Sequence, residues 1–126
     1  MTLWPRQVEI LTAMCEGRDY HFPGATALDR AKRKYAALNK LRALGYVSGS
    51  EITLKGRLVL SAHLANPVER LAAMAGSHRE LAEVLNVRPE TVSRMHGVVP
   101  ENYHADLILW GQLEGVENEV RDILRR

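Results

Sequence analysis

Five side chains between positions 88 and 94 combine the groups needed to contact a nucleic-acid duplex. Arg88, Glu90, Thr91, Ser93 and Arg94 offer two guanidinium forks, two hydroxyls and one carboxylate within seven residues. Guanidinium pairs with guanine edges or phosphate, hydroxyls bond to either, and a carboxylate accepts from the cytosine amino group. Glu90 also repels phosphate, which argues against simple backbone attraction. A second group of cations lies earlier, in Arg30-Ala31-Lys32-Arg33-Lys34 with Lys40 and Arg42 following. Of these, Arg30, Arg33, Lys34 and Lys40 can share a broad helical face and suit phosphate tracking. The bland alternative is that such a run is only a solvated helix face.

Other chemistry is poorly served. The five histidines, His21, His63, His78, His96 and His104, show no metal-ligand spacing, and no cysteine pair accompanies them. Cys15 falls on an apolar stripe and reads as a core thiol rather than a nucleophile. There is no glycine-rich phosphate loop and no paired carboxylate motif. Neither enzymatic activity nor a cofactor or metal is therefore expected.

The residues at 88–94 must be held by two short helices. In 77–95, Ser77 caps the first helix, with Glu80 three residues later as a capping-box partner. Ala82 is small where two steeply crossed helices approach. Asn86 tolerates the left-handed backbone of a tight turn, and Pro89 opens the second helix. Leu81, Leu85, Val87, Val92 and Met95 are the apolar positions that pack both helices down. A helix over 68–75 precedes this pair, ended by Gly76. Gly97-Val98-Val99-Pro100 reads as an extended linker, with helices over 100–110 and 116–126 beyond it.

The first half of the chain has a different pattern. Pro5 opens a helix that reaches Gly17, and residues 18–24 read as a loop. Thr26 caps a long helix in which Leu28, Ala31, Tyr35, Leu38, Leu41 and Leu44 form an apolar stripe. Gly45 ends it. Two β-prone runs around Ser48-Gly49-Ser50 predict a hairpin, and a helix over 55–65 follows until Asn66-Pro67 breaks it. We divide the chain there into 1–66 and 67–126. The first part holds ten Lys/Arg against five Asp/Glu and the second seven against ten, giving +5 and −3 within a whole-chain charge of +2. The expected fold is mostly α: a compact N-terminal unit with a short β-hairpin, then an all-α unit of about five helices.

These patterns carry two resemblances. Residues 68–122, through the spacing of Ala82, Asn86 and Pro89 and the continuation Gly97-Val98-Val99-Pro100-Glu101, resemble the Cro/repressor-like helix-turn-helix superfamily, and are similar in particular to phage-type regulators of the YdaS kind. Met95 stands where members of that group often carry tryptophan. Residues 4–65, through Leu44-Gly45-Tyr46-Val47 and Leu54-Lys55-Gly56-Arg57, resemble a compact winged helix with a very short wing. The resemblances imply a DNA-binding transcriptional regulator of bacterial or phage type, contacting double-stranded DNA through the helix that begins at Pro89. They leave two alternatives open. One is an adaptor docking on RNA polymerase or another protein, and the other a DNA-packaging or replication subunit.

Leu107, Leu109, Trp110 and Leu113 are residues more often found in core than at an interface, yet with a further stripe of Val116, Val120, Ile123 and Leu124 the two terminal helices suggest a homodimer surface that would align two reading heads. No run of about 18 apolar residues predicts a membrane span. Residues 1–6 lack the pattern of a signal peptide, and the single cysteine suits a reducing compartment. A cytoplasmic location is expected.

Overall fold

The computed structural model describes residues 3–125 and is mostly helical, with eight α-helices and one two-stranded hairpin among those residues. The chain separates into two compact units, Met1–His63 and Leu64–Arg126. The division falls three residues before Asn66-Pro67 because Asn66 belongs to the second unit. Its side chain accepts from the Glu69 N–H at 2.8 Å and caps the first helix there.

The N-terminal unit contains α1 (Pro5–Glu16), α2 (Ala27–Ala43), β1 (Val47–Ser48), β2 (Glu51–Ile52) and α3 (Leu54–Ala62). Gln7 Oε1 accepts the Trp4 N–H at 2.9 Å ahead of α1. Thr26 accepts the Asp29 N–H at 3.1 Å and starts α2. The hairpin pairs Val47 with Ile52 and Ser48 with Glu51 across a Gly49-Ser50 loop. Gly49 takes φ 61°, which a side chain would resist. Arg42 steadies this loop by donating through Nε and Nη2 to the Gly49 carbonyl at 3.1 and 2.8 Å. The unit's core is Leu3, Ile10, Leu11, Ala13, Leu41, Tyr46, Val47 and Leu60.

The apolar stripe expected along α2 is only partly used. Leu41 is buried and Leu38 and Leu44 are half-buried, but Leu28 and Tyr35 are 63% and 67% exposed and Ala31 is exposed as well. Helical geometry supplies the reason. The steps Tyr35, Leu38, Leu41 and Leu44 are each three residues, about 60° short of a full turn, so the stripe winds around the helix. Its two ends cannot face one core. Nor is there a helix among residues 17–26 to cover the N-terminal turns.

The C-terminal unit contains α4 (Pro67–Ala75), α5 (His78–Leu85), α6 (Pro89–Ser93), a single 3-10 turn (Glu101–Tyr103), α7 (His104–Glu114) and α8 (Glu117–Leu124). α5 packs against α4, α6 and α7, and α8 packs against α4 and α7. Leu71, Met74, Leu81, Leu107, Val116, Val120 and Ile123 are almost wholly buried. Three members of the second stripe suggested as a dimer surface, Val116, Val120 and Ile123, therefore form core. So does Leu107. Leu109 and Leu113 remain 55% and 79% exposed, one turn apart on α7.

The bend between α7 and α8 is tight. Gly111 is buried, and a Cβ there would come within 3.1 Å of Glu117 Cα and Val120 Cγ2. Across the bend Glu117 Oε1 accepts from Gln112 Nε2 at 2.8 Å and Arg121 Nη2 at 2.9 Å. The Gln112 amide, followed by Arg121, holds this carboxyl below the ordinary glutamate range.

Ser77 accepts the Glu80 N–H at 3.2 Å, as the capping residue of α5 should. Ser77→Ala is expected to lower stability by about 1 kcal/mol. In urea unfolding it should move the midpoint with no change in slope.

Candidate nucleic-acid interface

The turn between α5 and α6 sets the geometry of the candidate site. Asn86 adopts φ 56°, ψ 46°, and the Val87 N–H reaches back to the Ala82 carbonyl at 2.9 Å. That six-to-one bond closes the end of α5. Ala82 is 1% exposed, so a larger side chain there would separate the packed helices. Pro89 occupies the first position of α6, and Val92, 1% exposed, anchors that helix to the core.

The second helix is shorter than the sequence suggests. It covers five residues, and the chain then turns through Arg94 and Met95 to His96, at φ 51°, and Gly97, at φ 85°. The Val98 N–H bonds to the Met95 carbonyl at 3.1 Å, fixing the turn. Downstream, His104 Nε2 lies 3.2 Å from the Val99 carbonyl oxygen and ties the linker to α7.

This scaffold presents Arg88, Glu90, Ser93 and Arg94 as exposed side chains, with Thr91 half-buried. Among the described residues, Arg88, Glu90 and Arg94 form no side-chain hydrogen bond or ion pair. Glu90 and Arg94 are four residues apart, a spacing that allows a helical ion pair, but none forms. Ser93 Oγ donates to the Pro89 carbonyl at 3.4 Å, leaving its lone pairs outward. The short element thus offers two free guanidinium groups around one free carboxylate. Arg79, in the first turn of α5, is a further exposed and unpaired cation. Its basic type is visible in the sequence, but the apolar pattern of the motif draws attention elsewhere.

In the N-terminal unit the four cations chosen for phosphate contact divide into two pairs. Arg33 and Lys40 are seven residues apart, about two turns, and share one flank of α2. Arg33 is exposed and unpaired, and the Lys40 ammonium lies 4.5 Å from the Trp4 ring centroid. Arg30 and Lys34 lie on the side of α2 that carries Leu38 and Leu41. Arg30 Nη1 donates to the Gly24 carbonyl at 3.2 Å. Lys34 lines a cavity instead.

Among the described residues no group of three or more His, Cys, Asp or Glu side chains could hold a metal ion. No helix there is long and apolar enough to cross a membrane. No family model, curated protein or solved structure matches this chain.

Proposed function

We propose that this protein is a sequence-specific DNA-binding transcriptional regulator of bacterial or phage type, acting in the cytoplasm on double-stranded DNA. The observation that carries this reading is the set of unpaired, exposed Arg88, Glu90 and Arg94 on a short helix anchored by buried Val92. Unpaired charged groups on a helix anchored by a buried side chain suit base-edge contact, because no intramolecular bond has to break before they engage a base. In this reading α6 and its following turn enter the major groove, and Arg33 and Lys40 add phosphate contacts. Base contacts supply specificity, and the basic N-terminal unit supplies much of the affinity.

The regulator acts as a homodimer, with Leu109 and Leu113 on α7 contributing apolar area to the contact. Two heads related by a two-fold axis would read half-sites about 34–36 Å apart or a multiple of that spacing. A second reading, docking on RNA polymerase or another protein, is favoured by the same exposed leucines and by the −3 charge of residues 67–126.

Salt dependence separates the two. Affinity for a mixed duplex pool should fall linearly on a log–log plot as salt rises. Arg33→Ala and Lys40→Ala should each reduce that slope by about 1. Fluorescence anisotropy between low and moderate salt gives the slope. An affinity undetectable at low salt, or a slope unchanged in both variants, contradicts the reading.

A further inference from the structure

The side of α2 that faces the core runs on past the core itself. Lys34 lies seven residues, about two turns, before buried Leu41 and shares its direction. A side chain in that position would ordinarily be covered. Lys34 is nevertheless exposed, and among the described residues its ammonium has no hydrogen bond or ion pair. In front of it is a cavity of about 460 Å³ between α1, residues 17–22, α2 and the hairpin loop. That volume falls within the range of small-molecule sites, about 300–1,000 Å³.

The walls combine apolar surface with sparse charge. Ile10, Met14, Phe22 and Leu38 provide the apolar part. The Phe22 ring is set edge-on against Tyr20, with centroids 4.7 Å apart, which fixes its orientation. The other polar groups are largely engaged: Arg18 pairs with Glu16, and the Tyr20 hydroxyl donates to Glu9 at 3.1 Å. Asp19 also lines the cavity and opposes an anion. Glu9 and Glu16 flank the cavity through Tyr20 and Arg18, so the net charge of the walls does not draw an anion in, and recognition falls to the Lys34 ammonium.

We infer that this cavity binds a small organic carboxylate, with its apolar body against Ile10, Met14, Phe22 and Leu38 and its carboxylate on Lys34. Lys34 and Leu38 belong to α2, and Ser50 of the hairpin loop also lines the cavity. A bound anion would therefore link the basic helix to the hairpin and neutralise one of the helix's cations. The expected consequence is weaker duplex binding. That consequence rests on the proposed function, whereas the binding site itself does not.

The probe is 2-naphthoate, titrated into the isotope-labelled full chain while backbone amide shifts are followed. Shifts should saturate at Ile10, Met14, Lys34, Leu38 and Ser50. Lys34→Met, which keeps the side-chain stem, should weaken binding about tenfold or more. Lys32→Met should leave it unchanged, because Lys32 does not line the cavity. The same ring carrying a methylammonium group should not shift these amides. The site is refuted by the absence of saturable shifts at millimolar naphthoate, as expected if the groove takes a partner's helix. Equal shifts from the ammonium analogue, or unchanged affinity in a folded Lys34→Met variant, refute it too. Saturating naphthoate should also raise the apparent Kd for duplex DNA. Unchanged duplex affinity overturns the regulatory consequence alone, and failure of all duplex binding overturns the proposed function while the amide shifts still decide the site.

Discussion

Gly56→Ala is expected to cost the N-terminal unit about 3 kcal/mol, through a clash no rotamer can relieve. Thr53 caps α3 by accepting the Gly56 N–H at 3.1 Å, while its own N–H bonds to the Tyr46 carbonyl at 2.9 Å. The Thr53 hydroxyl also donates to the Gly45 carbonyl at 2.7 Å. These bonds draw the first turn of α3 onto the backbone that enters the hairpin. A Cβ on Gly56 would collide with the Tyr46 carbonyl oxygen and come within 2.9 Å of Ile52 Cγ1. The main obstacle is backbone in a close-packed interior, so relief requires moving the helix or the hairpin. Gly49→Ala is the matched comparison: it meets nothing within 4 Å but must hold φ 61°. That strain costs about 1 kcal/mol. Urea unfolding of both variants should rank Gly56→Ala as the more damaging, and the reverse order would contradict the close approach.

Arg94→Ala and Arg88→Ala are expected to have the largest effects on duplex binding, each costing about 1–3 kcal/mol for the preferred sequence. Both residues are exposed and unpaired, so truncation removes no intramolecular bond, and thermal unfolding should be unchanged. The loss should be smaller on a scrambled duplex, where only phosphate attraction remains. Glu90→Gln should act in the opposite sense on the scrambled duplex. Removing its charge removes phosphate repulsion and raises non-specific affinity, narrowing the gap between preferred and scrambled sequences.

Local chemistry made much of the fold legible. Thr26 and Ser77 each mark a helix start because their side chains accept from exposed N–H groups, whereas Asn66-Pro67 was legible only as a break and the structure makes Asn66 the cap of α4. Asn86 marks the α5 turn because it tolerates a left-handed backbone, and the two-residue hairpin loop follows from Gly49. The length of α6 was less legible. Val92-Ser93-Arg94-Met95-His96 contains no glycine or proline, yet the helix stops at Ser93 and the chain turns through His96 in a left-handed conformation, φ 51°. The uncovered half of α2 was also obscured. Leu28, Ala31 and Tyr35 fit a local helical pattern, but the stripe winds around the helix and no helix among residues 17–26 covers its first turns.

The candidate site was legible as residue types but not as an arrangement. Arg88, Glu90, Ser93 and Arg94 do emerge together, since they occupy the outward positions around buried Val92. The basic helix behaves differently. Charge alone could not distinguish Arg33 and Lys40, on one flank, from Lys34, which points along the core-facing side into a cavity. That distinction depends on which turns of α2 are covered, and coverage is set by distant segments.

Selection from a pool of randomised duplexes tests the central claim most directly. The intact protein should enrich a recurring sequence. The Arg88→Ala/Arg94→Ala double variant should retain salt-dependent binding but lose that enrichment. A selected pool no different from the starting one, or the same sequence enriched by the double variant, would contradict base reading by α6 and its following turn.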